Sequence, residues 1–184
     1  CRAPVSIQYP AVELLTASAF ILCLLSKGPG MGSALMCMFS GILITAAFID
    51  ARHMYIPDGI HILILLLSCI SLAAGSGPSL INRLSGSLLT GGFLALVNLL
   101  SRGGVGWGDV KLFAASGLLM GAAPAMTALL MGYVTAGLWY AVPLVRGRIG
   151  RKTQIPMAPF FAVSLMICGL WFRQLFLWYL GLFR

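Results

Sequence analysis

Residues 31–50 read MGSALMCMFSGILITAAFID, a run of nineteen uncharged residues that ends at Asp50. A helix needs about 20 apolar residues to cross a bilayer. Further apolar runs lie near residues 8–26, 58–75, 84–101, 109–123, 125–145 and 156–180. The sequence therefore predicts an all-α bundle of about seven transmembrane helices, or six if the first run does not cross.

The composition supports a membrane protein without a soluble module. Apolar residues make up 60% of the 184 residues and charged residues 9%, which is typical of a polytopic membrane protein. We predict a single transmembrane domain over residues 1–184. The net charge of +8 comes from basic residues between the apolar runs. This placement indicates topology signals and contact with anionic lipid in a bilayer, and no nucleic-acid partner.

The chain has only four acidic residues, and three of them lie in two short motifs. Asp50 and Asp58 bound the motif DARHMYIPD, and Asp109 lies in GWGDVK, residues 106–111. An ionisable group at membrane depth costs several kcal/mol unless it is paired or faces water. Asp50 and Asp109 are therefore the first candidates for function.

Two carboxylates can hydrolyse a peptide bond without a metal. One takes a proton from water while the other, protonated, polarises the scissile carbonyl. Because carboxylates a few ångströms apart cannot both ionise easily, one keeps a proton near neutral pH. Asp50 and Asp109 both lie at predicted helix ends on the same side of the membrane, where they could face each other.

Five neighbouring residues are predicted to have roles around this pair. Gly106 and Gly108 would permit backbone angles closed to other residues and the close approach of a substrate strand. Lys111 would change the pKa of Asp109, bind the substrate or anchor the helix at the membrane surface. Pro57 is predicted to support the active site. Asp58 is predicted to cap the helix that it opens.

Plainer explanations exist for the two candidates. Asp109 could merely cap its helix, and Asp50 could be a simple interfacial charge. His53 and His61 have no partner His or Cys at ligand spacing, and the five cysteines form no CxxC pair. We therefore predict no metal site and no cofactor.

Basic residues predict the orientation in the membrane. The side with Asp50 and Asp109 would carry eight: Arg2, Arg52, Arg102, Lys111, Arg146, Arg148, Arg151 and Lys152. The other side would carry three: Lys27, Arg83 and Arg184. Because loops rich in Lys and Arg stay in the cytoplasm, this excess predicts that the two aspartates face the cytoplasm.

Three ordered blocks resemble a known family. They are Asp50 with Ile56-Pro57-Asp58, the stretch 106–111, and Ile155-Pro156-Met157-Ala158-Pro159-Phe160. Over about residues 30–172 the chain resembles the bacterial prepilin leader peptidases, which are GxGD intramembrane aspartyl proteases. The resemblance implies a multi-pass protein of the bacterial inner membrane with Asp50 and Asp109 as its catalytic pair. It also implies a prepilin-like substrate helix whose short basic leader is cleaved at the cytoplasmic face.

The chain departs from the larger members of that family in one respect. Those members carry a cytoplasmic insertion with two CxxC pairs, associated with N-methylation of the new pilin terminus, and this sequence has no such insertion. It resembles the short form, so we expect cleavage without methylation. The alternative is a proton-coupled transporter in which the same two aspartates relay protons. The glycines around Asp109 and the three ordered blocks favour the peptidase.

Overall fold

A computed structural model describes residues 8–147, 150 and 155–182. Within these ranges the chain is helical and contains no strand, which confirms the predicted fold class. The helices are α1 Gln8–Lys27, α2 Met31–His53, α3 Asp58–Ala73, α4 Leu80–Leu100, α5 Trp107–Met120, α6 Ala122–Val145 and α7 Ala158–Gly181. Each corresponds to one of the apolar runs in the sequence.

Five of these helices, α1, α2, α4, α6 and α7, are long and apolar enough to cross a bilayer. Helix α5 has only 14 residues. At 1.5 Å per residue it is about 21 Å long, whereas the hydrocarbon core is about 30 Å thick. A single residue, Gly121, separates the end of α5 from the start of α6. If that turn lies at one membrane face, Trp107 stops about 9 Å short of the other.

Helices α4 and α5 pack in direct backbone contact. A Cβ atom added to Gly86 would lie 2.6 Å from the carbonyl oxygen of Gly117, and one added to Gly117 would lie 2.5 Å from the backbone of Gly86. The Thr90 hydroxyl donates to the carbonyl oxygen of Phe113 across the same interface, at 2.9 Å. Small residues permit this approach in lipid, where apolar burial gives little drive for association. The contact fixes α5, which carries Asp109.

An aromatic group joins α5, α6 and α7. The ring of Phe161 packs edge-on against Phe113, with centroids 4.9 Å apart, and against Tyr133, with centroids 5.2 Å apart. Phe113 and Phe161 are fully buried. Aromatic pairs prefer this edge-to-face arrangement, so the group favours one separation of the three helices.

The structure corrects the predicted place of Arg83, which was assigned to a loop. Helix α4 begins at Leu80, so Arg83 lies inside it, with a relative exposure of 2%. Its guanidinium donates to uncharged oxygens of Ser68, Ser71, Ser76, Pro78 and Leu118. The planar guanidinium presents five N–H donors, and this ring of acceptors lets a charged group remain in the interior.

Candidate active site

Asp50 lies in the last turn of α2 and is buried, with a relative exposure of 7%. Its Oδ2 atom accepts a hydrogen bond from the backbone N–H of Ala158, at 2.9 Å. Ala158 is the first residue of α7. The N-terminus of a helix presents unpaired N–H groups and a partial positive charge. Asp50 therefore has a structural partner that offsets its unfavourable place at the end of its own helix.

Asp109 lies in the first turn of α5. The N-cap of α5 is Gly106, whose carbonyl oxygen accepts from the backbone N–H groups of Asp109, at 3.1 Å, and Val110, at 3.3 Å. No side chain caps this helix. The explanation of Asp109 as a helix cap is therefore wrong, and its carboxylate is left for another role.

Asp50 and Asp109 line one cavity of about 790 Å³. The rest of the wall comes from the start of α5, the middle of α6 and three connecting segments: Met54, Tyr55, Ile56, residues 103–108, Tyr133, Ile155 and Met157. The cavity can hold a water molecule and an extended peptide segment beside both acids.

The two glycines of the motif act differently from the expectation. Neither has a left-handed backbone, and Gly106 has a φ of −65°. A Cβ atom on Gly108 would lie 3.3 Å from Cβ of Ile56, whereas one on Gly106 would lie 3.4 Å from Oδ2 of Asp109. The backbone angles do not require glycine. Gly108 instead allows the start of α5 to approach the segment after α2, and so brings Asp109 toward Asp50.

Asp58 and Lys111 form an ion pair between α3 and α5. The N-cap of α3 is Pro57, so Asp58 is the first residue inside the helix and not its cap. The Asp58 Oδ1 atom instead accepts from Nζ of Lys111, at 2.6 Å. Both side chains are largely exposed, and such pairs contribute little to stability. Pro57 lies half-buried between the cavity residue Ile56 and this ion pair.

The sequence missed several residues of the cavity. Tyr133, from the middle of α6, lines the same cavity as Asp109, and nothing in its local sequence marks it. The backbone N–H of Ala158 carries no side-chain signal either, although it belongs to the third block of the family pattern. In the part of the chain that the structure describes, no three His, Cys, Asp or Glu side chains come together as metal ligands.

Comparison with known proteins identifies the family of this chain. Residues 37–141 match the sequence profile of the Type IV leader peptidase family. That range contains both aspartates and the ion pair. The chain belongs to this family of leader peptidases. No solved structure matches it.

Curated relatives extend the match. The Prepilin leader peptidase/N-methyltransferase of Aeromonas hydrophila is 31% identical over 98% of this chain and 64% of its own length. The protein of the same name from Bacillus subtilis is 30% identical over 93% of the chain and 69% of its own length. The Type 4 prepilin-like proteins leader peptide-processing enzyme of Escherichia coli is 37% identical over 86% and 60%. The chain thus spans about two thirds of the length of these relatives.

Family membership and the apolar helices together define the location of this leader-peptidase relative. It is a multi-pass protein of the bacterial plasma membrane. The cavity with the two aspartates lies at one end of the helices. Lys27, at the end of α1, and Arg173, in the second half of α7, line a second cavity at the other end.

Proposed function

We propose that this chain is an aspartyl endopeptidase that removes the short basic leader from type IV prepilin-like precursors. Asp50 and Asp109 would be its catalytic pair, supported by Gly106, Gly108, Lys111 and Pro57. Residues 1–184 would act as one peptidase domain, with the family-like core near 30–172. The observation that carries the proposal is the convergence of Asp50 and Asp109 on one cavity. The names of the curated relatives supply the substrate class.

The two carboxyl groups would share one proton. The ionised member takes a proton from a water molecule, whose oxygen adds to the scissile carbonyl carbon. The protonated member donates to the carbonyl oxygen, giving a tetrahedral gem-diol. Collapse of this species breaks the C–N bond, and a proton passes to the leaving amine. One water is consumed, and the pair returns to its starting state with one proton.

The position of the cavity suits a substrate that is a membrane helix. The short helix α5 would hold Asp109 below the membrane surface, where a peptide helix must be unwound before it is cut. Irregular backbone at that depth is tolerated only where it lines a cavity or is buried in protein. Residues 103–106, which precede α5, line the cavity. They provide non-helical backbone beside which an extended substrate could lie.

The distribution of basic residues supports a cytoplasmic active site. Among the described residues, Arg52, Arg102, Lys111 and Arg146 lie at the helix ends around the aspartates. Of the residues assigned to the other side, Arg83 is buried within α4 and Lys27 ends α1. Arg173, an exposed residue of α7, lies at that end as well, so four described basic residues accompany the aspartates and two exposed ones lie at the other end. Arg2, Arg148, Arg151, Lys152 and Arg184 lie outside the described residues. The rule that keeps Lys- and Arg-rich segments in the cytoplasm would place the basic leader of the substrate on the same side as the basic loops of the enzyme.

Cleavage of a prepilin-like protein by purified chain in liposomes tests the proposal. We expect one cut after the basic leader, detected by the mass of both products. The same liposomes can report proton movement with an internal pH dye. Proton flux without cleavage would replace the peptidase by the transporter, and absence of both activities would remove the two aspartates from either role.

A further inference from the structure

One buried histidine lies against the turn that carries Asp109. His61, in the first turn of α3, has a relative exposure of 5%. Its Nε2 atom lies 3.0 Å from the carbonyl oxygen of Gly108. Because a carbonyl can only accept, Nε2 must carry the hydrogen. The imidazole therefore donates to the backbone carbonyl that directly precedes Asp109.

The other nitrogen of this ring faces the Asp58–Lys111 ion pair. His61 Nδ1 lies 3.6 Å from Oδ1 of Asp58, which is the oxygen that Lys111 Nζ approaches to 2.6 Å. Nδ1 is buried and has no hydrogen-bond partner among the described residues. A buried polar atom without a partner costs free energy. An apolar side chain at position 61 would avoid the cost of the unpartnered Nδ1 atom. The hydrogen bond donated by Nε2 therefore explains why a histidine is present there.

Helix α3 consequently holds the start of α5 at two points. One is the hydrogen bond from His61 to Gly108, and the other is the ion pair from Asp58 to Lys111. Asp109 lies between Gly108 and Lys111 in the sequence. The Gly108 carbonyl belongs to the peptide unit that ends at the nitrogen of Asp109. Rotation of that unit would turn the Asp109 side chain relative to the cavity.

We propose that His61 is a positioning residue for the reaction. Its Nε2–H holds the Gly108–Asp109 peptide in one orientation, which keeps the Asp109 carboxylate directed at the cavity that it shares with Asp50. The inference rests on the proposed peptidase function. It assigns His61 no contact with substrate and no proton transfer, so its loss should lower the rate of the chemical step and leave substrate binding nearly unchanged.

Two substitutions distinguish the effect of the Nε2–H donor of His61 from the effect of its side-chain volume. In His61→Gln, the side-chain amide can place an N–H near the position of Nε2, whereas His61→Leu keeps a similar volume without a donor. We expect His61→Leu to lower kcat by about 10- to 100-fold with KM changed less than about threefold, because small displacements of a catalytic group are costly. His61→Gln should retain kcat to within about fivefold of the wild type.

His53 provides the matched control. It is the other of the two histidines in the chain, it is exposed at the end of α2, and it does not line the cavity. His53→Leu should keep wild-type kcat and KM. Equal losses in His61→Gln and His61→Leu, wild-type kcat in His61→Leu, or a loss confined to KM would each overturn the proposal.

A measurement without turnover makes the two proposals separable. With ¹⁵N-labelled histidine, the protein should give ring signals from two residues, and His61→Gln identifies those of His61. We expect His61 as the Nε2–H tautomer with a hydrogen-bonded proton. If wild-type protein fails to cleave any prepilin-like substrate, the proposed function fails while this spectrum still reports the bond. A ring protonated only at Nδ1 would overturn the positioning role. If His61→Leu does not fold, this spectrum and the kcat of His61→Gln decide.

Discussion

The carboxylate of Asp50 accepts a hydrogen bond from the backbone N–H of Ala158, 108 residues away. The bond joins the C-terminal end of α2 to the N-terminal end of α7. It places an acid that would oppose the dipole of its own helix at the favourable end of another. This explains how Asp50 is buried at a helix end with no basic side chain bound to it among the described residues.

Replacing either aspartate by asparagine should abolish cleavage. Asp50→Asn and Asp109→Asn keep the side-chain shape and remove the acid–base function. Because the two groups act as a unit, each change should lower kcat below about 10⁻³ of the wild type. A timed assay on a prepilin-like substrate measures this. Glu13→Gln, which alters an exposed acid of α1 in the same way, should leave the rate unchanged. Substantial turnover by either asparagine variant would contradict the assignment of the pair.

The two glycines of the motif should differ in sensitivity. Gly108→Ala introduces a Cβ atom 3.3 Å from Ile56, so the start of α5 must move by a few tenths of an ångström. We expect kcat/KM to fall about two- to tenfold, since a 1 Å misplacement costs about 10²-fold. Gly106→Ala meets only an ordinary contact at 3.4 Å and should cost less. Gly41→Ala, on an open face of α2, is the control. A larger loss in Gly106→Ala would contradict this account.

Close packing of α4 on α5 should be sensitive to one added carbon. A Cβ atom on Gly86 would lie 2.6 Å from backbone atoms of α5, whereas one on Gly92, in the same helix, meets a side chain at 3.8 Å. Overpacking of this kind costs about 1–3 kcal/mol. Gly86→Ala should lower the free energy of unfolding in detergent by this amount, and Gly92→Ala should leave it unchanged or slightly higher. Equal stability of the two variants would show that the helices can separate without cost.

Labelling of single cysteines should place the two aspartates on the cytoplasmic side. In a background without other cysteines, His53→Cys lies at the end of α2 beside Asp50, and Ala74→Cys lies at the opposite end of α3. A membrane-impermeant thiol reagent added outside intact cells should modify position 74 and not position 53, because the basic loops accompany the aspartates. The reverse pattern would place the site on the outer face.

The cleaved product of this chain should carry an unmethylated amine. The sequence contains no CxxC motif. In the larger members that it resembles, two such motifs lie in the insertion associated with methylation. Mass spectrometry of product formed in the presence of S-adenosylmethionine decides the matter. Addition of one methyl group in a reaction that contains only this purified chain would refute the expectation.

Much of this architecture is encoded locally. Each helix coincides with an apolar run of the sequence. Helices α1, α2 and α3 begin at the residues where their predicted runs begin. Asp50 and Asp109 could be recognised because a charge after a long apolar run is rare and costly. The short length of α5 could also be predicted, because its apolar run has too few residues to cross a bilayer. The sequence also predicts that Asp50 and Asp109 could face each other, and in the structure both residues line one cavity.

The partners of these groups could not be found in the same way. The donor to Asp50 is a backbone N–H, which every residue except proline carries, so no letter in the sequence marks Ala158. The role expected for Asp58 as a cap depended on a difference of one residue in the start of α3, which is within the usual uncertainty of helix ends. His61 resembled an isolated histidine because its acceptor, the Gly108 carbonyl, is 47 residues away.

The acceptors of Arg83 have a consequence for the order of biosynthesis. Ser68, Ser71, Ser76 and Pro78 all precede Arg83 in the chain, and among its acceptors only Leu118 follows. When α4 leaves the ribosome, most of the oxygens that bind its guanidinium have therefore already been made. The helical hairpin of α3 and α4 can enter the bilayer with the Arg83 guanidinium already hydrogen-bonded to backbone and hydroxyl oxygens of the hairpin itself. Helix α5 can then pack on a preformed hairpin, where the Leu118 carbonyl in its last turn supplies the last acceptor of Arg83.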